Sequence, residues 1–119
     1  MVRTHGLTHI NLNVTDVIRS MVFYQQVFGL EVAFRHGPDM VFLRTPGKQD
    51  IITLMKRERA QVGSLGISHF GFRLVDKADI DKAIGDAEKA GGKFLSRGEW
   101  APGEPYAYIA DPDGYVIEL

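Results

Sequence analysis

Two histidines stand at equivalent points of two similar stretches, GLTHINLNVTD over residues 6–16 and GISHFGFRLVD over residues 66–76. Gly6 matches Gly66, Thr8 matches Ser68, His9 matches His69 and Asp16 matches Asp76, all at one offset of 60 residues. The ends of the two halves also correspond, since IITL at 51–54 resembles VIEL at 116–119, which sets Thr53 against Glu118. A turn precedes each ending, Pro46-Gly47 in one half and Pro112-Asp113-Gly114 in the other. If a pseudo-twofold axis relates the halves, His9, His69 and Glu118 converge on it. Two neutral imidazoles and one carboxylate form a three-ligand face around a divalent ion and leave positions for water or substrate. That open arrangement suits catalysis. The chain has no cysteine, so thiolate ligation and disulfides are excluded. Fe(II), Mn(II), Ni(II), Co(II) and Zn(II) all accept such a ligand set. A threonine hydroxyl is a poor ligand, so Thr53 is expected to line the pocket or orient a water. A lone strand histidine is ordinarily a hydrogen-bonded or surface residue, and a lone carboxylate is ordinarily solvated. The weight therefore rests on three such groups at symmetric positions. His5 and His36 lie outside the repeat and are expected to face solvent.

The elements that must position these groups follow from periodicity. Residues 7–14 alternate, with Ile10, Leu12 and Val14 on one face and His9, Asn11 and Asn13 on the other, the period of a half-buried strand. The second copy sets Phe70, Phe72 and Leu74 against His69, Gly71 and Arg73. A helix follows each strand. Asp16 is an N-cap candidate, Val17, Met21, Tyr24 and Phe28 form a stripe, and Gly29 closes the helix. In the second half Asp76 or Asp79 starts a helix with Ile80, Ala83, Ile84 and Ala87 at helical spacing, ended by Gly91-Gly92. Strands are expected near 31–37, 40–45 and 50–56, then near 93–97, 104–110 and 115–119. The chain thus reads as an α+β single domain, residues 1–119, of two tandem βαβββ modules (6–56 and 66–119) joined by a linker at 57–65. Helices cover the apolar sheet faces, and the polar faces form a curved cup of mixed sheet. Strand parity with the ligands adds Asn11, Met55, Arg73 and Tyr106 as lining candidates. Arg73 is suited to gripping an anionic group, or is a plain surface cation. The stretch 97–105 (RGEWAPGEP), with Trp100, reads as a lid or entrance loop, or as an ordinary turn.

Composition narrows the partners. The 119 residues carry a formal net charge of -1, which gives no general attraction to nucleic acid or an anionic membrane. No apolar run is long enough to span a bilayer, and the N-terminal residues lack a secretory pattern, so a cytoplasmic location is expected.

The double βαβββ pattern, the His-[Ile/Phe] start of each half and the closing DPDGYVIEL resemble the vicinal oxygen chelate superfamily. It includes glyoxalase I, extradiol ring-cleaving dioxygenases, fosfomycin-resistance proteins and metal-free bleomycin-binding proteins. The resemblance covers essentially the whole chain. It implies a small substrate chelating the metal through neighbouring oxygens, with the ion as Lewis acid. It also implies a homodimer with a shared site, in which His9 of one chain meets His69 and Glu118 of the other. Glyoxalase is disfavoured, because related isomerases carry a carboxylate or amide where this chain has Thr53. The run from Tyr108 through Asp111-Pro112-Asp113-Gly114 to Glu118 fits the closing signature of extradiol dioxygenases, which implies a catalytic Tyr108. The histidine expected shortly before that tyrosine is missing, and Glu99-Trp100 stand there, leaving Glu99 as a candidate acid–base group. Tyr108 as a plain sheet aromatic is the competing reading. Fosfomycin-resistance enzymes share the triad but carry a catalytic threonine where this chain has Asn11. Three classes stay open: a metalloenzyme (a dioxygenase, or a thiol transferase, isomerase or lyase), a metal-free module binding a drug or metabolite, and a scaffold domain.

Overall fold

The computed structural model describes all residues except 2, 4, 6, 8, 64–66 and 68. Two matches of the repeat (Gly6 with Gly66, Thr8 with Ser68) and two linker residues (Ser64, Leu65) lie outside the described residues. The chain divides into two compact units, Met1–Val62 and Gly63–Leu119.

In the first unit, strand β1 (His9–Val14) leads to helix α1 (Val17–Phe28), followed by β2 (Glu31–Arg35), β3 (Met40–Arg44) and β4 (Ile51–Lys56). The sheet runs in the order β1-β4-β3-β2, with β1 parallel to β4 and the other neighbours antiparallel. Asp16 caps α1: its carboxylate accepts from the Arg19 N–H at 3.0 Å. Gly29 ends the helix in the left-handed region at φ 65, where a side chain would be strained, and its N–H reaches the Gln25 carbonyl. The helix buries Val17, Ser20, Phe23 and Tyr24 rather than the expected Val17–Met21–Tyr24–Phe28 stripe. Met21 and Phe28 are only half-buried. The face is centred on Ser20, whose small side chain lets the helix lie close to the sheet. Under it lie Leu12, Val14, Val41, Leu43, Ile52 and Leu54, all nearly inaccessible.

The second unit repeats the order. Strand β5 (Phe70–Gly71) precedes helix α2 (Ile80–Lys89), β6 (Lys93–Ala101), β7 (Glu104–Ala110) and β8 (Val116–Glu118). The sheet order β5-β8-β7-β6 mirrors that of the first unit, again with a parallel first pair. The chain is therefore α+β, two tandem βαβββ modules each with a mixed four-stranded sheet. Asp76 caps a short 3-10 turn at Lys77–Asp79 by accepting from the Ala78 N–H, and α2 starts directly from that turn. Ile80, Ala87, Ala107, Ile109, Tyr115, Ile117 and Leu119 form the core. Two expectations need correction. The first strand of this module does not run to Leu74: its ladder with β8 covers two residues, although the Phe72 N–H still reaches the Glu118 carbonyl at 2.9 Å. Residues 97–105 are no open loop; they form the end of β6, a tight turn and the start of β7, because backbone pairing continues from Gly98 opposite Tyr106 to Ala101 opposite Glu104.

Among the described residues no helix is long and apolar enough to cross a membrane.

Candidate functional site

The repeat reaches the level of strand register. Gly71 pairs with Glu118 in one module, and Asn11 pairs with Thr53 in the other. Gly71 and Asn11 each lie two residues beyond the repeated histidine, so Thr53 is the structural counterpart of Glu118.

In the second module the acidic position is elaborately held. The turn before β8 is locked by Asp111, a buried carboxylate whose Oδ1 accepts from the N–H groups of Asp113 and Tyr115, both at 2.9 Å. The strand that follows carries Ile117 into the core and turns Glu118 to the other face. There His69 Nε2 lies 3.0 Å from Glu118 Oε2, and the Trp100 indole N–H donates to Glu118 Oε1 at 3.0 Å. Tyr108 pairs directly across the ladder from Glu118, and its ring meets the His69 ring edge-on at 5.1 Å. Tyr106 continues the aromatic row, 5.5 Å from Tyr108 and 5.0 Å from Trp100. Gly98 makes room for it, since a Cβ there would come within 2.7 Å of the Tyr106 hydroxyl oxygen.

Trp100 reaches Glu118 because β6 bulges. The register slips between Glu99 and Ala101, leaving Trp100 as the extra residue, and a bulge of this kind re-aims the side chain it carries. The same register separates Glu99 from the group. Glu99 pairs with Pro105, one residue out of phase with Tyr106 and Tyr108, and is exposed.

The Tyr108 phenol is held above the ordinary tyrosine value of 10.0, first by partial burial, then by the neighbouring Glu118 charge, with Tyr106 and a hydrogen bond to Glu118 adding to it. At neutral pH Tyr108 is thus a proton carrier, able to donate a hydrogen bond. A cavity of about 790 Å³ opens beside Glu118 and Trp100 and is walled by Gly71, Arg73 and Pro105 among others.

His69 and Glu118 stand in direct hydrogen-bonding contact, a separation that two ligands of one ion can also have. Two ligand atoms each about 2.1 Å from one ion, at right angles, stand about 3.0 Å apart. Among the described residues no three His, Cys, Asp or Glu side chains cluster, so the second module offers two ligands by itself.

The first module carries the other candidates on the face opposite its core. His9 and Asn11 are exposed on β1 and Met55 is half-buried on β4. Thr53 is buried, and its hydroxyl has no hydrogen-bond partner among the described residues. Asn11 contacts Asn13, whose amide donates to the Gln61 carbonyl at 3.1 Å. Sequence reasoning missed Phe34 and Phe42, which stack at 4.1 Å on this face with Phe34 largely exposed. Their signal was strand parity: Phe42 pairs directly with Thr53.

The family model for the Glyoxalase/Bleomycin resistance protein/Dioxygenase superfamily matches residues 6–119. The chain belongs to this superfamily. An uncharacterized protein of Pseudomonas aeruginosa is 31% identical, with the match covering 95% of this chain and 86% of that protein. Metapyrocatechase of Geobacillus stearothermophilus is 29% identical over 95% of this chain, which corresponds to 33% of the enzyme. Among solved structures, FosX of Listeria monocytogenes, a fosfomycin resistance protein, superposes with a TM-score of 0.80 at 24% identity, covering 98% of this chain and 90% of that one. That crystal contained Mn(II) and 1S,2S-dihydroxypropylphosphonic acid.

Proposed function

We propose that the protein is a divalent-metal-dependent enzyme acting on a small oxygen-chelating substrate, with ring-cleaving dioxygenation as the reaction its closing motif favours. The observation that carries the reading is that His69 and Glu118, two ligand-type side chains, meet on the polar face of the second module with Trp100 bound to the other carboxylate oxygen. His9 of a second copy in a homodimer completes the ligand set. The ion, one of Fe(II), Mn(II), Ni(II), Co(II) or Zn(II), supplies Lewis-acid polarisation of substrate oxygens. The chain's own groups do the rest. Trp100 holds Glu118 Oε1 by its indole N–H and so fixes the orientation of the carboxylate that would share the ion with His69. Tyr108, kept protonated, delivers a hydrogen bond or proton to a substrate oxygen beside Glu118. Tyr106 lines the site beside Tyr108, and Asn11, Thr53 and Met55 are the candidate substrate contacts on the polar face of the first module. Thr53 carries no carboxylate with which to take a proton from a carbon next to a carbonyl, which weighs against glyoxalase-type isomerisation. Glu99, on the opposite side of its strand from Tyr106, has no part in this scheme. The metapyrocatechase likeness supports the dioxygenase branch; a thiol transfer, isomerisation or lyase reaction is the alternative within the superfamily. A cytoplasmic site of action belongs to the same reading.

Metal analysis of protein purified without chelators tests it directly. About one divalent ion per site is expected in the wild type, with loss of the ion in His69→Ala. Turnover is then measured with a catechol, an α-ketoaldehyde–thiol adduct and an epoxide antibiotic. No metal in the wild type, together with ligand binding indifferent to chelator, would replace this reading with a metal-free binding module.

A further inference from the structure

The cavity beside Glu118 holds a charge that the proposed metal chemistry does not use. Its charged lining groups are Arg73, Asp76, Lys77, Glu104 and Glu118. Four of these already have partners, with only Lys77 and Glu104 cancelling in charge while Asp76 and Glu118 stay negative. Lys77 Nζ bonds Glu104 Oε1 at 2.8 Å, Asp76 caps the Ala78 N–H, and Glu118 is shared between His69 and Trp100. Arg73 has no ion-pair partner among the described residues. It follows Gly71, the residue paired with Glu118, by two positions, so its wall of the cavity adjoins the carboxylate. Trp100 supplies the aromatic wall. A guanidinium presents a planar fork that matches a carboxylate through two parallel hydrogen bonds, and an indole face suits a flat ring.

We propose that this cavity is an anion subsite, in which Arg73 takes the carboxylate of a planar aromatic substrate lying against Trp100. The substrate class is thus an aromatic acid. Its orientation, with chelating oxygens toward Glu118 and His69, rests on the metal reading above; the subsite itself does not.

Trp100 is the only tryptophan in the chain, so its fluorescence reports occupancy of the cavity directly. The metal-loaded protein is titrated at low ionic strength with benzoate and, as the neutral counterpart, benzyl alcohol. Benzoate is expected to bind more tightly. Arg73→Gln should weaken it on the order of tenfold or more, the scale of a lost charge-assisted pair. Arg73→Lys should restore part of the loss, and benzyl alcohol should respond equally in all three proteins. Equal benzoate affinity in wild type and Arg73→Gln overturns the subsite, as does benzoate binding that vanishes with chelator yet ignores the Arg73 substitution. Stoichiometric metal with no Arg73-dependent benzoate binding removes the subsite and leaves the metal reading standing. Arg73-dependent binding in protein that holds no metal does the reverse.

Discussion

Replacing Trp100 by Phe removes one hydrogen bond and keeps an aromatic ring in place. The indole N–H donates to Glu118 Oε1 at 3.0 Å, and the Glu118 side chain is 22% exposed, so the bond is charge-assisted and only partly screened. Such bonds contribute about 1.5–3 kcal/mol when buried. With Trp100 itself 69% exposed, a value near the lower end is appropriate, about 1.5 kcal/mol. Because the bond is already made without the ion, that energy is lost from folding stability, and the metal affinity changes through the orientation of Glu118. Loss of an outer hydrogen bond to a ligating group ordinarily weakens metal binding about 10- to 100-fold. Trp100→Phe should therefore raise the metal dissociation constant about tenfold. The assay is competition against a chromogenic chelator, because the substitution abolishes intrinsic tryptophan fluorescence. Trp100→Ala separates the hydrogen bond from the ring: it should match the Phe variant in metal affinity and lose more stability. An affinity within twofold of wild type in Trp100→Phe would refute the reasoning. A tighter affinity would show that the freed oxygen joins the ion, which would equally overturn the restraint assigned to the indole.

Other outcomes follow from the same structure. The Tyr108 phenol should ionise above the ordinary tyrosine range, read as the phenolate absorbance lost in Tyr108→Phe; Glu118→Gln should bring it partly back, because burial persists while the carboxylate charge goes. Since folding raises this value, the associated stability is intact below about pH 10 and falls as pH climbs through the elevated value, a direction that alkaline denaturation checks. Leu54→Ala should cost about 2–5 kcal/mol in denaturant unfolding, because Leu54 is fully inaccessible under α1. Asp16→Ala should cost about 0.5–2 kcal/mol by the same assay, through loss of the N-cap bond to Arg19. Gly98→Ala should displace the Tyr106 ring and so shift the emission of Trp100, which packs on it; an unchanged spectrum would show that the ring gives way without cost.

The repeat was legible because it is written in local signals. Alternation of His9, Asn11 and Asn13 against Ile10, Leu12 and Val14 demands a half-buried strand whatever surrounds it. Asp16 and Gly29 mark helix ends by chemistry confined to one turn. The pairing of Glu118 with His69 was legible for a different reason, since a duplicated module places equivalent residues in equivalent registers. What escaped the sequence depends on packing between distant segments. The rotation of α1 toward Ser20 and Phe23 is chosen by how the helix seats on the sheet, because its apolar residues allow more than one face. The bulge at Trp100 is a mismatch in length between β6 and β7, and only the paired strands turn that surplus residue toward Glu118 and leave Glu99 on the other side. Local periodicity thus determined the two modules and their polar faces. Tertiary pairing alone decided which aromatic holds the carboxylate and which acid stands apart, because strand register is a relation between segments that neither contains by itself.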